Sequence, residues 1–329
     1  MEYQRLEELV NQNKWDEACR ELDKYVDGEW DDQLAVLAAA TCFALGDRDG
    51  AFECIVQGLK YNYKNYELYL MLGNYYEPKN CNQAWLCYQN ALYYCDNEQD
   101  YDVILQYKQR MEQNPDWCVQ KVSIVILTYN LKEMNIQCIR SLRDTNDPSS
   151  YELIVVDNAS TDGTLEWLEQ QLDIKLIGNR ENKGFPAGCN QGIKAAEPEN
   201  DILLLNNDTL ILPNAIFWLR MGLYQEKRIG ATGSMSNWAI PRQQIEQKLD
   251  SVEAYIAYGT AMNIPMKNAM EKKVWLAGFA LLVKRKALDE VGLLDERYSP
   301  GQSEDLDLCV RMNLAGWQVR LCHNCLLYT

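Results

Sequence analysis

Three groups of acidic and amide side chains have the types and spacing needed for chemistry on a phosphorylated substrate. Asp157 closes one apolar run, Asn206-Asn207-Asp208 closes another, and Glu304-Asp305-x-Asp307 follows far downstream. Carboxylate and amide oxygens suit hard divalent cations, which usually bind one or two carboxylates together with substrate phosphates. A carboxylate can also accept a proton from an attacking hydroxyl. These residues therefore indicate a metal-assisted transfer at a nucleotide-type site.

The elements that must position these side chains are short apolar runs, each followed by polar residues. Strands are predicted at 122–128, 151–156, 173–177, 201–205 and 229–233, and helices near 132–143, 162–171, 187–196 and 213–225. Alternation at this spacing predicts a mostly parallel, Rossmann-like sheet with helices on both faces. Open α/β sheets bind ligands at the carboxyl ends of their strands, which is where the polar residues fall.

The later part of the chain gives weaker patterns. Residues 237–273 are polar and aperiodic, so we expect a loop-rich, mobile segment over the site. Trp275–Val283 is predicted to be a further strand. Ser303–Ala315 is predicted to be an amphipathic helix with an acid-rich first turn, in which Asp307 faces Arg311 four residues on.

The first 95 residues contain a repeat with a period of 33 residues. Small residues recur at this spacing, followed by large residues at +4 and +8, which is one face of a helix. The three sets are Ala18, Ala51 and Ala84; Leu22, Ile55 and Tyr88; and Val26, Leu59 and Leu92. With the aromatic and Leu-Gly pattern of Tyr69–Tyr76, the repeat resembles the tetratricopeptide repeat (TPR). Such helix pairs stack into a solenoid that usually binds peptide; a module that only supports the next domain is the alternative.

The chain is therefore expected to have three parts. Residues 1–95 form an all-α, TPR-like domain, and residues 96–120 form a helical connector that ends at the break signal Asn114-Pro115-Asp116. Residues 121–329 form the α/β domain.

Composition excludes several classes of function. The formal net charge of −16, without clustered Lys and Arg, argues against a nucleic-acid partner. The 12 cysteines are scattered and follow no apolar leader, which predicts reduced thiols in a cytoplasmic protein, with Cys322 and Cys325 as strand residues. The single histidine, His323, rules out histidine clusters for zinc. No apolar run approaches the roughly 18 residues of a transmembrane segment.

Five motifs in order resemble those of the family 2 glycosyltransferases, which have the GT-A fold and invert the anomeric centre. They are Thr128-Tyr129-Asn130, Asp157 to Thr164, Lys183 to Gly192, Asn206-Asn207-Asp208 and Glu304-Asp305-x-Asp307. The resemblance covers residues 121–329. It implies a bacterial-type enzyme that moves a sugar from a UDP- or dTDP-linked donor, with Mn²⁺ or Mg²⁺ as cofactor. The acceptor would be a hydroxyl of a glycan or of a protein such as flagellin. Rhamnosyl-type relatives share the sequence Asn-Asn-Asp-Thr.

The resemblance also implies roles for single residues. Asp305 would be the catalytic base, with Glu304 as the alternative, and Asp208 the metal ligand, although Asn206 replaces the first acid of the family's Asp-x-Asp motif. The expected donor-binding residues are Thr128, Asn130, Asp157, Asn158, Ser160, Lys183, Gly184, Asn190, Asn206, Trp275 and Gly278.

Each motif also has a purely structural interpretation. Ser160 or Thr161 could be the N-cap of the next helix, and the glycines after Lys183 could be ordinary loop glycines. Trp275 could be a buried strand aromatic instead of a surface that stacks on a sugar. The acids around Asp305 could be a helix N-terminus enriched in negative charge.

Two other functions stay open at this point. A nucleotidyltransferase would share the sheet and the acids, but its glycine-rich loop should stand where Thr128-Tyr129-Asn130 is. A degenerate transferase could bind a nucleotide-sugar and act as a scaffold through its repeats. Thr329 occupies the place where many relatives have a metal-binding histidine. Either this ligand is absent or, as we expect, the chain is part of a longer protein.

Overall fold

The computed structural model describes residues 3–25, 28, 30–239 and 243–329. Val26, one of the predicted repeat positions, lies outside these described residues. The chain divides into two compact units, Met1–Val119 with Ile264–Met266, and Gln120–Asn263 with Lys267–Thr329. None of the helices in the described ranges is long and apolar enough to cross a membrane.

The first unit is helical. Its helices are α1 (Gln4–Asn11), α2 (Trp15–Leu22), α3 (Asp32–Ala44), α4 (Arg48–Tyr61), α5 (Tyr66–Tyr76), α6 (Cys81–Tyr94) and α7 (Glu98–Glu112). An Asp or Asn side chain caps the N-terminus of each helix from α3 to α7 by accepting backbone N–H groups, which fixes where these helices begin. α3 packs on α4, α5 on α6, and α6 on α7.

Small residues allow these helices to approach closely. Ala18, Ala51 and Ala84 are fully buried. Gly73 lies against the ring of Tyr88, where an added Cβ would collide with the aromatic carbons. The small-then-large pattern of the sequence is therefore a packing pattern between neighbouring helices.

The second unit is an α/β domain built on an eight-stranded sheet with the order β3-β2-β1-β4-β7-β5-β8-β6. The strands are β1 (Val122–Thr128), β2 (Tyr151–Asp157), β3 (Ile174–Gly178), β4 (Asp201–Asn206), β5 (Ile229–Ser236), β6 (Met270–Lys273), β7 (Ala280–Val283) and β8 (Gln318–Leu327). Among the strands of the described residues, β7 and β6 alone run antiparallel to their neighbours. The expectation of a mostly parallel sheet preceded by helices is confirmed.

Helices connect and cover these strands. They are α8 (Lys132–Thr145), α9 (Thr164–Leu168), α10 (Phe185–Ala195), α11 (Ala215–Leu223), α12 (Val252–Met262), α13 (Arg285–Val291) and α14 (Glu304–Leu314), with 3₁₀ turns at Pro148–Ser150 and Glu296–Tyr298. The chain places β2 and β3 on one side of β1, and β4 on the other. A crevice forms where the strand order reverses in this way, so the site is expected at the carboxyl ends of β1 and β4.

Two predictions for the later part of the domain hold only in part. Residues 237–273 contain α12, capped by the Ser251 side chain, and the edge strand β6. Among the described residues, only Ala280–Val283 of the predicted strand at 275–283 has ladder register with β4 and β5. The preceding residues do not extend the strand because the Ala277 and Gly278 amides donate to the side chains of Gln243 and Asp305.

A buried polar network holds the amino end of β4. The Asp201 carboxylate accepts hydrogen bonds from the Tyr224 hydroxyl and, at 3.0 Å, from the Arg285 amide. The Tyr224 hydroxyl accepts from the Gln120 amide at 2.8 Å, and Arg220 donates to the Gln120 carbonyl at 2.9 Å. Burial raises the pKa of Asp201.

Replacing Asp201 by alanine should lower the free energy of unfolding by about 3–5 kcal/mol, because it leaves buried donors and cations without their carboxylate. Urea unfolding followed by circular dichroism measures this difference. The matched control is Asp289→Ala, which removes an exposed carboxylate of α13. Equal unfolding midpoints for the two variants would show that the network does not stabilise the fold.

Candidate active site

The candidate site begins at the carboxyl ends of three adjacent parallel strands. Thr128 at the end of β1 lies opposite Asp157 at the end of β2, and Leu127 lies opposite Asn206 at the end of β4. Alignment of the three strand ends thus places the Thr-Tyr-Asn, Asp157 and Asn-Asn-Asp motifs at one edge of the sheet.

The turns that follow β1 and β2 are joined to each other. The Asn130 amide donates to the Ser160 hydroxyl at 2.7 Å, and the Thr161 amide donates to Asn130 Oδ1 at 2.8 Å. The N-cap predicted at Ser160 or Thr161 was wrong, since α9 begins at Thr164 after Gly163, whose φ is +86°. Ser160 and Asn130 instead fix the two turns against each other.

Asp157 is fully buried, and among the described residues only one of its two carboxylate oxygens has a hydrogen-bond partner. Its Oδ2 accepts from the Ser160 amide at 3.0 Å. Its Oδ1 is buried without a hydrogen-bond partner among the described residues. Buried carboxylate oxygens are normally paired, so this atom has the acceptor capacity that a ligand N–H or hydroxyl would satisfy.

Asn158 organises the loop that leads into α10. Its Nδ2 donates to Asn182 Oδ1 at 3.0 Å and to the Gly184 carbonyl at 3.2 Å, while its Oδ1 accepts from the Lys183 amide at 3.2 Å. Asn179 Nδ2 also donates to Asn158 Oδ1 at 2.9 Å. The side-chain amide of Asn158 therefore makes its hydrogen bonds to other protein groups. The side chain of the neighbouring Lys183 is exposed.

Gly184 is required at the start of α10. It has a φ of +82°, and an added Cβ would collide with the side chain of Ser299. The next residue, Phe185, donates its amide to the Pro300 carbonyl at 2.7 Å. The glycine thus brings the α10 N-terminus close to the segment that precedes α14.

Asn190, predicted to contact the donor, is engaged elsewhere. Its side-chain amide pairs with the Leu294 backbone in both directions, at 2.8 and 3.1 Å, and also donates to Glu296. The residue is buried. The Asn190 side chain therefore packs α10 against the Leu294 backbone, and its contact with the donor stays a prediction.

The Asn-Asn-Asp motif presents one unpaired carboxylate. Asn207 Nδ2 donates to Thr128 Oγ1 at 3.2 Å, which ties the motif to β1. Asp208 is exposed and has no hydrogen bond or ion pair to the described residues. Burial, with the nearby Asp208 charge adding to it, raises the pKa of the Cys138 thiol to about 12.

Asp305 lies at the start of α14 and is held by backbone amides. Its Oδ2 accepts from the Gly278 amide at 2.9 Å, and its Oδ1 accepts from the Leu306 amide at 2.7 Å. The residue is partly exposed. Each carboxylate oxygen has two lone pairs, so Asp305 is oriented and can still accept a proton.

Its acidic neighbours have other partners. Glu304 is buried, and its Oε2 accepts from the Gln302 amide at 2.7 Å. Asp307 forms the predicted ion pair with Arg311, at 2.8 Å. Arg311 also donates to the Val291 and Leu293 carbonyls, so this pair anchors the turn after α13.

Hydrogen bonds connect the strand ends to Asp305. The backbone amide of Asn158 donates to the Thr128 carbonyl at 2.8 Å, and the Thr128 hydroxyl accepts from the Asn207 side chain. The Asn206 amide donates to the Phe279 carbonyl at 2.8 Å, one residue from the Gly278 amide that holds Asp305. Acidic residues that are 148 positions apart in sequence, Asp157 and Asp305, therefore belong to one continuous edge.

The remaining predicted positions lie around this edge. Trp275 is half-buried and packs against the hydrophobic core, while Thr329 pairs with Asn237 through two hydrogen bonds of 2.7 Å. Sequence reasoning missed Gln243, which accepts from the Ala277 amide at 2.6 Å. It also missed Asn179, whose position just after β3 carries the same strand-end signal as Asp157. Gln243 stands in an aperiodic stretch that gave no such signal.

Comparison with known proteins agrees with this architecture. The model of the family "Glycosyl transferase family 2" matches residues 123–290, just over half of the chain. The chain therefore belongs to the family 2 glycosyltransferases.

Two curated relatives show how far the likeness extends. One is an uncharacterized glycosyltransferase, YfnE, of Bacillus subtilis, 28% identical over 253 residues, covering 61% of this chain. The other is N-acetylglucosaminyl-diphospho-decaprenol L-rhamnosyltransferase of Mycobacterium tuberculosis, 30% identical over 190 residues, covering 50% of this chain. The matches span 62% of each relative's own length.

A solved structure supports the fold alone. The chain is similar to GalNAc-T7 in complex with UDP, GalNAc and Mn²⁺, with a TM-score of 0.52 and 12% sequence identity. The match covers 65% of this chain and 44% of that one.

Proposed function

We propose that the protein transfers a sugar from a UDP- or dTDP-linked donor to a hydroxyl group, with inversion at the anomeric carbon. The observation that carries this proposal is the continuous edge that joins Asp157, the Asn-Asn-Asp motif and Asp305. Family membership supports the same chemistry. A nucleotidyltransferase has no corresponding support, because β1 is followed by Thr128-Tyr129-Asn130.

On the donor side, Asp157 is the central residue. Its buried Oδ1, which has no partner among the described residues, would accept from the N3–H of uracil or thymine or from a ribose hydroxyl. Thr128, Asn130 and Ser160 would shape the turns around the nucleoside, and Asn158 with Gly184 would hold the loop that carries Lys183. An exposed lysine there would favour the diphosphate electrostatically.

On the acceptor side, Asp305 is the base. Its carboxylate takes the proton of the acceptor hydroxyl as that oxygen bonds to C1 from the face opposite the diphosphate. The bond from C1 to the diphosphate oxygen breaks, and the nucleoside diphosphate leaves with the electron pair. Glu304 is less suited to this role because it is buried and bound to the Gln302 amide.

The residues present fit a weakly held divalent cation. The described residues contain no group of three or more His, Cys, Asp or Glu side chains that could enclose a metal. Asp208, unpaired and exposed, with Asn206 nearby, would hold Mn²⁺ or Mg²⁺ jointly with the donor's phosphates, as such cations commonly bind. The bound cation would offset the charge of the departing diphosphate.

A nucleotide-release assay tests the proposal. The full chain should release UDP or dTDP from at least one member of a panel of nucleotide-sugars when Mn²⁺ and saccharide acceptors are supplied. Binding of nucleotide-sugars without any turnover across the panel would favour the degenerate scaffold instead. The replacement of the first acid of the metal motif by Asn206 is the observation that keeps this second function in consideration.

The relatives and the cysteines support proposals for the acceptor and for the location of the enzyme. The Mycobacterium tuberculosis relative is named for a diphospho-decaprenol saccharide, and a further relative, 29% identical over 150 residues, is the poly(ribitol-phosphate) beta-glucosyltransferase of Bacillus spizizenii. These names favour a glycan acceptor over a protein such as flagellin. All 12 cysteines are free thiols. This state supports a reducing, cytoplasmic location.

The helical unit is proposed to be TPR-like and to recruit the molecule that carries the acceptor. Residues 1–119 hold 22 acidic and 10 basic side chains, which gives −12 of the chain's net −16. An opposite charge on the partner would speed association and make it sensitive to salt. A carrier protein recruited by this unit is therefore expected to be basic, whereas a phosphate-bearing glycan carrier would not be attracted to it.

Deleting residues 1–95 should spare slow hydrolysis of the nucleotide-sugar by water and abolish transfer to a large acceptor. Both activities are measured together with the melting temperature of the remaining chain. A shortened chain that unfolds or aggregates would indicate a supporting module instead. One that melts normally and transfers normally would contradict both roles.

A further inference from the structure

The carboxylate of Asp305 is held by one group of its own helix and by one distant group. Its Oδ1 accepts from the amide of Leu306, the next residue of α14, at 2.7 Å. Its Oδ2 accepts at 2.9 Å from the amide of Gly278, which lies 27 residues earlier in the chain. The direction of the carboxylate therefore depends on where the chain before β7 places the Gly278 N–H group.

Residues 274–279, which connect β6 to β7, contain this amide. Among the described residues they have no ladder register with a neighbouring strand. At one end of the connection, the Asn313 side chain of α14 donates to the Val274 carbonyl at 2.8 Å. At the other end, the Phe279 carbonyl accepts from the Asn206 amide at 2.8 Å. These two contacts fix the ends of the connection but not its middle.

Gln243 holds the middle of this connection. Its side chain is buried, its Oε1 accepts from the Ala277 amide at 2.6 Å, and its Nε2 donates to the Ser234 carbonyl of β5 at 3.1 Å. Its own carbonyl accepts from the Ser236 amide at 2.8 Å, so the residue is itself anchored to β5. Because peptide units are planar, only the two backbone dihedrals of Ala277 separate the unit that Gln243 fixes from the Gly278 N–H group.

Gly278 allows the backbone to approach Asp305 closely. A Cβ atom added at Gly278 would lie 3.3 Å from the Asp305 Cβ and 3.6 Å from its Oδ2. The first distance is short for two carbon atoms, so a side chain here would displace Asp305 by a few tenths of an ångström. This role of Gly278 is separate from the donor contact that the sequence predicts for it.

We propose that Gln243 and Gly278 are positioning residues for the Asp305 carboxylate, an inference that rests on the proposed role of Asp305 as the base. Gln243 fixes the peptide unit before Ala277, and the Gly278 amide then holds Oδ2. Each carboxylate oxygen keeps a second lone pair for the proton of the acceptor hydroxyl. Both residues act through Asp305, and a displaced catalytic group can lower a rate by about 10²-fold.

Gln243→Met removes both hydrogen-bonding groups and keeps a side chain of similar length. The kcat of transfer should fall about 10- to 100-fold, while the KM for the donor and the affinity for nucleotide stay unchanged. Gly278→Ala should lower kcat about 10-fold. Gln171→Met is the matched control, since Gln171 also donates to a carbonyl, at 3.1 Å, and accepts from Arg143, at 3.2 Å, but lies before the amino end of β3. Its kcat should equal that of the native protein.

A double-mutant cycle separates positioning from a merely structural role. Gln243→Met is also made in the Asp305→Asn background. If Gln243 acts through the carboxylate, its replacement should have little further effect on transfer once the carboxylate is gone. If it only supports the fold, transfer should fall by the same factor in both backgrounds, and this result would overturn the proposal.

NMR of the full chain labelled with ¹⁵N-glycine tests the same link without any transfer. The Gly278 amide resonance is identified by its absence from Gly278→Ala. In Gln243→Met it should shift, and its hydrogen exchange with solvent should become faster, because the amide is no longer held against Asp305. Gln171→Met should leave both unchanged. An unchanged resonance in Gln243→Met overturns the proposal. A resonance that responds, in a protein that turns over no nucleotide-sugar, contradicts the proposed transfer and leaves the positioning of the carboxylate intact.

Discussion

Replacing Asp305 by asparagine should lower sugar transfer by roughly 10²–10⁴, the usual contribution of a general base, while donor affinity stays unchanged. Asparagine can still accept the amide hydrogen bond from Gly278 or Leu306, so the local backbone is preserved and the loss is confined to proton transfer. Initial rates of nucleoside diphosphate release in the presence of acceptor measure the effect, and calorimetry measures donor binding.

Glu304→Gln is the matched control for this variant. Its side-chain oxygen can keep the contact with the Gln302 amide, so transfer should fall little. Near-native transfer by Asp305→Asn, together with loss of transfer by Glu304→Gln, would reverse the two assignments.

Replacing Asp157 by asparagine should weaken nucleotide binding about 10- to 100-fold, whether or not a divalent cation is present. The variant can keep the hydrogen bond from the Ser160 amide, but it presents an NH₂ group where the base presents its own N–H. The loss corresponds to one hydrogen bond to a charged group, worth about 1.5–3 kcal/mol. Calorimetric titration with UDP and dTDP measures it.

The control for this prediction separates recognition from loop positioning. Ser160→Ala removes the hydroxyl that accepts from the Asn130 amide but keeps the Asp157 carboxylate. Its effect on affinity should be the smaller of the two. If Asp157→Asn binds nucleotide as tightly as the native protein, the carboxylate does not recognise the nucleoside.

Much of this fold could be predicted because its information is local. The runs that become β1, β2 and β4 are continuous and apolar, and each ends in polar residues that mark the ligand-binding edge. Helix α12 was missed because its sequence lacks a clear polar face. It also contains Gly259, a poor helix former, at a point where an added Cβ would collide with Leu212. Its position is set by packing, not by periodicity.

The fine structure of the site depends on contacts that are distant in sequence. Asn190 belongs to the same sequence motif as Gly184. Its side-chain amide nevertheless donates to the Leu294 carbonyl, 104 residues away. Asn158 resembles a ligand contact in sequence but is occupied by the loop around Gly184. No sequence pattern singles out Gln243, and its role is visible only from the hydrogen bond that it accepts from the Ala277 amide. A sequence motif shows which functional groups lie at the ligand-binding edge of the sheet. Tertiary contacts decide which of these side chains remain free to bind a ligand.

The edge from Asp157 to Asp208 is expected to bind a nucleoside diphosphate together with a divalent cation. This binding can be measured by calorimetric titration of the full chain with UDP and with dTDP, with and without Mn²⁺. The native protein should bind one of the two nucleotides, and Mn²⁺ should strengthen that binding. Asp208→Ala should lose only the strengthening, while Asp289→Ala should behave as native. If neither nucleotide binds in either condition, this edge is not a nucleotide site.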